Sequence, residues 1–391
     1  MERIYLDNAA TTPLCEAAAA AMEPYFRAGV GSPFGNANSV HSVGREAFSA
    51  LEDARMRVAR AIGASRPDEV VFTSGATEAD NAALIGMAIA QRERRRLKGG
   101  FSGGHVVVSR IEHDAVLHCT SALKRLGFEV GFVENDASGH ISAESLEAVM
   151  REDTLLVSIM AVNNEVGTVL DTAALARVAH EHGALFHTDA VQALGKIAFS
   201  VGAAGVDAAS FSAHKVGGPK GVGVLYLKTR TPFEPFLVGG GQERGLRSGT
   251  QNVAGIVGAA AAIEHAVRER EAFAARSMPW RDGLYERLCA SPRVVAAATV
   301  ARGDEGFAPH IVSVCVRGVE SQTLILQLDL RGICVSGGSA CSSASLDPSH
   351  VLAALGTPRN LAQGLIRVSF GEQTEQGDID AFVAAFEEAV S

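Results

Sequence analysis

The sequence predicts an α/β protein in which a large domain with a mainly parallel sheet is joined to a smaller α+β domain. At 391 residues the chain is too long for one ordinary hydrophobic core, which favours two domains. Short β-branched runs alternate with helical patterns through the first two thirds, as in parallel sheets covered by helices on both faces. A long Ala-rich helical pattern then runs from Asn252 towards Leu288 and connects to a second group of segments.

Seven strand-like runs make up the predicted sheet of the large domain. They begin at Val70, His105, Phe128, Thr154, Ala184, Val206 and Gly221. A helix with one apolar face precedes them and carries Ala47, Leu51, Ala54, Val58 and Ile62. A shorter helical segment holds Leu146, Val149 and Met150. Because ligands of such sheets bind at the carboxyl ends of the strands, the polar clusters there are the candidate sites.

The segments after the Ala-rich helix predict the smaller α+β domain. Strand-like patterns and helical patterns alternate there without a repeat or a low-complexity linker. The strand-like segments lie at Arg293, His310, Ile333 and Leu365, and the helices lie near Gln322, Pro348 and Gln376.

The composition is that of a globular protein, with 47% hydrophobic and 20% charged residues. A net charge of -9 gives no basic surface for nucleic acid. The cationic run 92–98 is expected to be a solvated helix end, the alternative being an anion or partner site. We expect no signal peptide, no transmembrane helix and no membrane partner. The six cysteines contain no CxxC pair, which disfavours disulfides and structural zinc and predicts a cytoplasmic location.

Lys215 is a candidate Schiff-base lysine. It lies in the run SFSAHKVGGPKG, between a strand-like stretch and a Gly/Pro turn. Pyridoxal phosphate (PLP) enzymes need an amine beside small residues, and Ser212 and His214 are suitable polar neighbours. The alternative is a solvated charge at a strand end.

Four further segments follow predicted strands. In FTSGATEADN, backbone N–H groups at a helix N-terminus form a candidate phosphate site, the alternative being an ordinary helix cap. His113, flanked by two acids, is a candidate for stacking on a cofactor ring and moving protons. Asp189 ends a buried strand and needs a cationic partner, for which a pyridinium nitrogen is suitable, and Gln192 lies three residues later. In VNNEVG, Asn164 and its neighbours either reach the same sheet edge or cap a turn.

The later part of the chain holds three more candidates. The run GGGQERGLRSGTQN is either a mobile surface loop or an anion site completed by a second subunit. Cys341 lies among small and hydroxyl residues, which predicts a mobile nucleophile; Cys289, Cys315 and Cys334 are predicted to be structural. Arg367 is either a clamp for a substrate carboxylate or an edge-strand charge.

Eight segments together, in this order and spacing, resemble the NifS/IscS-type cysteine desulfurases from Tyr5 to about Phe370. They are YLDNAATTP, FTSGATEADN, IEHDAV, VNNEVGT, HTDAVQA, SFSAHKVGGPKG, GGGQERGLRSGTQN and SGGSACSSASLDPSHVLAALG. The resemblance implies a homodimeric, PLP-dependent enzyme of the aspartate aminotransferase-like fold type I. It also implies conversion of L-cysteine to L-alanine with formation of an enzyme persulfide. The alternative is selenocysteine lyase or another class V aminotransferase-fold enzyme.

The resemblance also implies roles for individual residues. Lys215, Cys341 and His113 are implied to be catalytic, with Cys341 bearing the persulfide. Asn164 and Arg367 are implied to bind substrate. The implied PLP-binding residues are Ala76, Thr77, His113, Asp189, Gln192, Ser212, His214, Lys215 and Thr250, the last resembling a residue lent by the other subunit. No resident metal is implied, and whether Cys341 ligates a transient iron–sulfur cluster stays open.

The predicted domains are 15–262, the large PLP-binding domain, and 1–14 with 263–391, the small domain that carries the cysteine loop. The implied partners are L-cysteine, a second copy of the chain, and iron–sulfur scaffold proteins or other sulfur acceptors. Three positions depart from the family pattern, namely Gly217 before GPKG, Ala37-Asn38 in FGNANSVH and Gly337 before GSAC. These departures remove no group that the chemistry requires.

Overall fold

The computed structural model describes residues 3–99, 101, 103–338 and 348–390. The strands are β1 (Ile4–Tyr5), β2 (Val70–Thr73), β3 (His105–Ser109), β4 (Glu129–Val133), β5 (Thr154–Ser158), β6 (Leu185–Asp189), β7 (Ala208–Ser212), β8 (Gly223–Leu227), β9 (Val294–Ala296), β10 (Ile311–Val316), β11 (Ile333–Cys334) and β12 (Leu365–Ser369). The helices are α1 (Glu16–Met22), α2 (Ser42–Ile62), α3 (Ala76–Leu97), α4 (Asp114–Leu117), α5 (Cys119–Arg125), α6 (Ala143–Glu147), α7 (Thr172–Glu181), α8 (Val201–Ala204), α9 (Val253–Leu288), α10 (Ser321–Asp329), α11 (His350–Ala354), α12 (Arg359–Ala362) and α13 (Gln376–Val390).

The large sheet has seven strands in the order β2-β8-β7-β6-β5-β3-β4. Strand β8 runs antiparallel to both of its neighbours, and the other pairs are parallel. The prediction of a mainly parallel seven-stranded sheet is therefore confirmed.

Both faces of this sheet are covered, as the apolar strand sequences predict. Side chains alternate across a strand, so Val107 belongs to one hydrophobic core while Val106 and Val108 belong to the opposite one. Helix α2 buries the predicted face from Ala47 to Ile62 in the first core. Helix α3 packs in the second core through Ala83, Leu84 and Met87 among others.

The predicted small domain contains a three-stranded antiparallel sheet in the order β12-β10-β9 and a parallel pair formed by β1 and β11. Its own core joins Leu6, the C-terminal part of α9 and helix α13. The pairing of β1 with β11 supports the assignment of residues 1–14 to this domain. Helix α9 is continuous across the predicted boundary at 262, so the domain division stays a proposal.

Three details differ from the sequence prediction. Helix α6 ends at Glu147, so Val149 and Met150 pack against the core from outside the helix. The cationic run closes α3, and Arg94, Arg96 and Lys98 are exposed as predicted. Arg95 differs, because it donates to the carbonyls of Glu152, Thr154 and Gly183. Cys315 is buried as predicted, whereas Cys289 is exposed.

None of the helices in the described part of the chain has the length and apolar character needed to cross a membrane.

Candidate active site

A cavity of about 380 Å³ lies at the carboxyl ends of the parallel strands. Its wall is formed by residues at or after the ends of β3, β6 and β7, by the N-terminus of α3, and by strand β12 of the small sheet. The structure brings ten predicted residues together here: Ala76, Thr77, His113, Asn164, Asp189, Gln192, Ser212, His214, Lys215 and Arg367.

Lys215 ends a single 3₁₀ turn that follows β7 directly. Its Nζ donates to the carbonyl oxygens of Ala9 (2.7 Å) and Ala10 (2.8 Å) in the N-terminal segment. The Lys215 amine is therefore half-buried and positioned by backbone carbonyls from the other end of the chain. Both alanines belong to the sequence segment YLDNAATTP. Their contact with Lys215 is not predictable from that segment, because every residue type has a backbone carbonyl.

Two buried carboxyl groups lie in the cavity wall. Asp189 ends β6, and its Oδ1 accepts from the Val191 N–H at 2.9 Å. Asp80 lies on the first turns of α3, and neither of its side-chain oxygens has a hydrogen-bond partner at normal distance within the described residues. Burial raises the pKa of both groups, and the Asp189 charge raises that of Asp80 further. Such a pair is suited to a cationic ring nitrogen, which would compensate a buried negative charge. Sequence reasoning did not single out Asp80.

A neutral histidine supports these carboxyl groups from the sheet interior. His187 is fully buried, and its ring nitrogens pair with the hydroxyls of Ser158 (2.8 Å) and Ser210 (3.0 Å). Its Nε2 is 3.7 Å from an Asp80 oxygen. Burial lowers the pKa of His187 to about 3, so the ring adds no positive charge beside Asp80.

His113 lies at the start of α4, where its Nδ1 accepts a hydrogen bond from the Ala115 N–H at 3.1 Å. This bond leaves Nε2 as the nitrogen available to a ligand. The expectation that the flanking acids orient the ring is not met by Glu112, because the Glu112 carboxyl bonds Ser109 and Met160 instead.

The N-terminus of α3 lies open to the cavity. Gly75 precedes the helix, no side chain caps it, and Ala76 and Thr77 line the cavity. First-turn N–H groups of this 22-residue helix are therefore suited to a phosphate. Ser212 lines the same cavity, as does His214, whose Nδ1 lies 3.1 Å from the Thr11 hydroxyl. Burial lowers the pKa of His214 to about 4, so its ring would contact the phosphate as a neutral donor.

Gln192 and Arg367 both have protein partners in the cavity. The Gln192 amide nitrogen donates to the Ala9 carbonyl at 2.9 Å. Arg367 is 1% exposed, which excludes a solvated edge-strand charge. Its guanidinium donates to the Asn164 carbonyl and to Asp7 Oδ1, both at 2.9 Å. Its Nε has no partner within the described residues and remains a donor for a ligand. Asp7 is a further site residue that the sequence analysis missed.

Thr250 lies outside this cavity. It is exposed and lines a separate, smaller cavity that borders the first through Ser74 and Gly221. The arginines of the same loop are engaged, because Arg247 bonds Glu78 at 2.8 Å and Arg244 bonds backbone carbonyls.

Cys341 lies outside the described residues. The described residues on both sides of its segment contact the site. Ser336 exchanges backbone hydrogen bonds with Arg367, and the Ser349 hydroxyl bonds the Glu165 carboxylate. His350 Nε2 is 2.9 Å from the Glu112 carbonyl oxygen.

Two of the three departures from the family pattern have a local reason. Gly217 adopts a φ of +81°, and a Cβ there would lie 2.9 Å from the Cys15 Cβ. A Cβ on Gly337 would overlap the Ser321 hydroxyl. Ala37 is buried in the first core, and nothing in the structure explains Asn38 beyond its bonds to Asn36 and Gln251.

A reactive lysine, paired buried carboxyls and an open helix N-terminus around one cavity define an enzyme site for a phosphorylated cofactor with a basic ring nitrogen. Residues 4–382 match the family model described as aminotransferase class-V, and the chain belongs to that family. Its members depend on PLP, so PLP is the cofactor, and the cavity has the donors and carboxyl groups that PLP requires. The prediction of a PLP-dependent fold type I transferase is confirmed.

Individual relatives are similar over nearly the whole chain. A protein of Dictyoglomus turgidum named cysteine desulfurase IscS is 41% identical over 377 residues, covering 96% of this chain and 92% of that protein. A solved structure of a NifS-like protein superposes with a TM-score of 0.89 at 40% identity, covering 99% of both chains. A structure of SspA in complex with cysteine superposes with a TM-score of 0.78 at 33% identity, covering 94% of this chain and 98% of that one.

Proposed function

We propose that this protein is a cysteine desulfurase that converts L-cysteine to L-alanine and leaves the sulfur as a persulfide on Cys341. The main observation in favour is the single cavity that holds the Lys215 amine, the acidic pair Asp80 and Asp189, and the buried guanidinium of Arg367. The names of the relatives, which include cysteine desulfurases and a cysteine complex, support the same substrate.

The cofactor would be held by groups from both sides of the cavity. Lys215 would bind PLP covalently, and Asp189 would pair with the pyridine nitrogen. The remaining contacts proposed are His113 against the ring, Gln192 at the ring oxygen, and Ala76, Thr77, Ser212 and His214 at the phosphate. When bound, PLP stabilises negative charge at the substrate Cα, which weakens the bond from Cβ to sulfur once the α-proton is removed.

The substrate carboxylate would bind Arg367. This guanidinium is fixed by the Asn164 carbonyl and by Asp7, and it keeps one N–H without a partner in the described chain. Since the Asp7 carboxylate already pairs with this guanidinium, the substrate carboxylate must share the guanidinium with Asp7. Burial raises the pKa of Asp7, although the Arg367 guanidinium opposes this effect.

Proton transfer at the substrate Cα would involve either Nζ of Lys215 or Nε2 of His113. Lys215 must first leave the Ala9 and Ala10 carbonyls, which hold its amine within the cavity. His113 Nδ1 is occupied by the Ala115 N–H, so only its Nε2 is available for proton exchange.

The sulfur step would use the Cys341 thiolate as nucleophile. Its sulfur attacks the substrate sulfur, the bond between that sulfur and the substrate Cβ breaks, and the electron pair stays on the carbon side. Protonation of the carbon then gives alanine, and Cys341 keeps the extra sulfur atom. The described flanks of its segment bond residues at or next to the site, Ser336 to Arg367 and Ser349 to Glu165.

The test is incubation of the PLP-loaded enzyme with L-cysteine, followed by assay of alanine and mass analysis of the Cys341 peptide. We expect alanine and one added sulfur atom on that peptide. A Cys341→Ser variant should lose both, whereas Cys289→Ser, which changes an exposed cysteine elsewhere, should keep both. Alanine formation at the full rate by Cys341→Ser would contradict the proposal. It would favour the alternative of a lyase that needs no persulfide cysteine.

The proposed enzyme acts as a homodimer in the cytoplasm and passes its sulfur to iron–sulfur scaffold proteins or other acceptors. Exposed apolar side chains support a dimer, since Phe26, Val30, Phe34 and Val40 are between 61% and 90% exposed. This segment, called the apolar loop face below, adjoins the Thr250 loop through a 3.0 Å hydrogen bond from Asn38 to Gln251. Thr250 would thus reach the partner's cofactor. Free thiols at the described cysteines support a reducing compartment.

A further inference from the structure

A second cavity, of about 410 Å³, lies beside the Lys215 turn and shares no lining residue with the candidate active site. Most of its wall is formed by residues 12–16, the dipeptide Val216-Gly217, Lys196 and the middle of α9. Its volume is within the range of about 300–1,000 Å³ that is typical of small-molecule sites. No step of the proposed desulfurase reaction uses it.

Lys196 is the chemically distinctive group of this cavity. It is 8% exposed, and its Nζ lies 4.2 Å from the centre of the Phe273 ring. Within the described residues its ammonium makes no hydrogen bond and no ion pair of normal length. Burial lowers the pKa of Lys196 to about 8, although the Glu372 charge opposes this effect. A buried ammonium in a cavity without a bonded anion is unfavourable, so binding of an anion there would be favoured.

The other charges around the cavity limit the kind of anion. Arg276 is exposed and adds positive charge on the same ring, 5.8 Å from the centre of Phe273. Two acids at the mouth already have partners, since Glu269 pairs with Arg268 at 2.9 Å and Glu372 pairs with His265 at 2.7 Å. The third acid, Glu16, is exposed. Three carboxylates near one ammonium and one guanidinium would repel a dianion, so a singly charged ligand is favoured.

We propose that this cavity binds a small organic carboxylate, whose anionic group pairs with the Lys196 ammonium. The apolar lining side chains, which include Leu14, Ala266 and Phe273, would contact the carbon skeleton of the ligand. This combination of one buried charge with apolar walls is the usual composition of a small-molecule site.

Thr12, which lines the cavity, connects its wall to the backbone on both sides of Lys215. The Thr12 hydroxyl donates to the His214 carbonyl at 2.9 Å and accepts from the Gly217 N–H at 2.8 Å. The Cys15 N–H donates to the Gly217 carbonyl at 2.8 Å. These bonds link the cavity wall directly to the turn that carries Lys215.

Cys15 provides a local readout of binding, because its thiol group lines the cavity and is partly exposed. The PLP-loaded enzyme is alkylated with iodoacetamide, and the labelling rates of the Cys15 and Cys289 peptides are measured by mass spectrometry. Probes are propionate, 4-fluorobenzoate, the neutral 4-fluorobenzamide and inorganic phosphate. We expect at least one carboxylate to slow Cys15 labelling about fivefold at saturation, since probe and reagent exclude each other from one cavity. Cys289 labelling, the amide and phosphate should show no such protection.

Variants distinguish a Lys196 site from nonspecific protection. Lys196→Met removes the charge and keeps the apolar stem, and it should abolish the protection; Lys124→Met, at an exposed lysine of α5, should keep it. If Lys196→Met does not fold, Arg276→Gln at the exposed wall should weaken protection about threefold. Three outcomes would overturn the proposal. The amide could protect Cys15 as well as its carboxylate does, neither carboxylate could protect it, or a folded Lys196→Met variant could keep full protection. Each of these outcomes can occur in an enzyme that still makes alanine, so the proposed function is tested separately.

Discussion

Glu112 is a fully buried carboxyl group one residue before His113. Its Oε1 accepts hydrogen bonds from the Ser109 hydroxyl at 2.5 Å and from the Met160 N–H at 2.9 Å, while Oε2 has no partner in the described chain. Burial raises the pKa of Glu112 to about 8. The Glu112 carboxyl is therefore protonated at neutral pH and adds no charge beneath the cavity. Its hydrogen bonds hold the ends of β3 and β5 together.

Glu112→Gln should flatten the pH dependence of stability. Because the folded-state pKa lies above the unfolded value, the folded protein keeps a proton that the unfolded chain releases. The free energy of unfolding therefore falls as the pH rises from about 4.5 through about 8, by on the order of 3 kcal/mol at pH 7. Glutamine resembles the protonated acid and removes this loss. Urea unfolding at several pH values, at fixed protein and PLP concentrations, measures the effect. Exposed Glu181→Gln is the control, and parallel profiles of Glu112→Gln and the parent would show the prediction to be wrong.

Arg367→Lys should raise the KM for L-cysteine. Lysine keeps the charge but cannot bond Asn164, Asp7 and a substrate carboxylate in one fixed plane. Loss of one charged hydrogen bond corresponds to about a 10- to 100-fold increase, with a smaller change in kcat. Steady-state alanine formation checks this, with exposed Arg317→Lys as the matched control. An unchanged KM would mean that Arg367 serves the fold through Asp7 and does not bind substrate.

At the scale of elements, the segment after Gly239 is anchored instead of mobile. Glu243 is 3% exposed and bonds Arg55 through both oxygens, at 2.6 and 2.9 Å. It also accepts from the Phe72 N–H at 3.0 Å, which fixes the segment to β2. Burial alone would raise the pKa of Glu243, but the Arg55 guanidinium holds it below its usual value. The segment is thus a fixed support for Thr250.

Glu243→Gln should destabilise the protein strongly, because it leaves the buried Arg55 guanidinium with a single anion, the partly exposed Glu52 at 2.9 Å. The expected loss is about 3–5 kcal/mol in the free energy of unfolding, measured by urea unfolding. The double variant Arg55→Met, Glu243→Met should recover much of it, since neither of the two buried charges remains and Glu52 is partly exposed. Glu23→Gln breaks an exposed pair of similar length, 2.7 Å, and should cost less than about 1 kcal/mol. Equal effects of the two single variants would contradict this explanation.

At the scale of the whole molecule, the apolar loop face should be buried in a dimer. Light scattering after size-exclusion chromatography should give twice the mass of the chain. A Val30→Asp, Phe34→Asp variant should give a monomer with weaker PLP binding, because Thr250 could no longer reach the partner's site. The control is Leu326→Asp, Leu330→Asp, which charges one exposed apolar residue on α10 and one directly after it, both outside that face. A monomeric parent protein, or a variant that stays dimeric, would refute this prediction.

Local sequence patterns predict the sheet, the long helix α9 and half of the residues that line the cavity. Strands such as β8, with the sequence GVLYL, are nearly continuous apolar runs, and local composition is enough to identify them. Lys215, Asp189 and His113 were found because each follows a strand, and strand ends of a parallel sheet converge. Only the tertiary structure decided which distant groups complete the site. Ala9 and Ala10 act through backbone carbonyls, Asp7 pairs with Arg367 across 360 residues, and Asp80 becomes significant only by its burial next to Asp189. These contributions depend on position and burial, which a residue type does not encode.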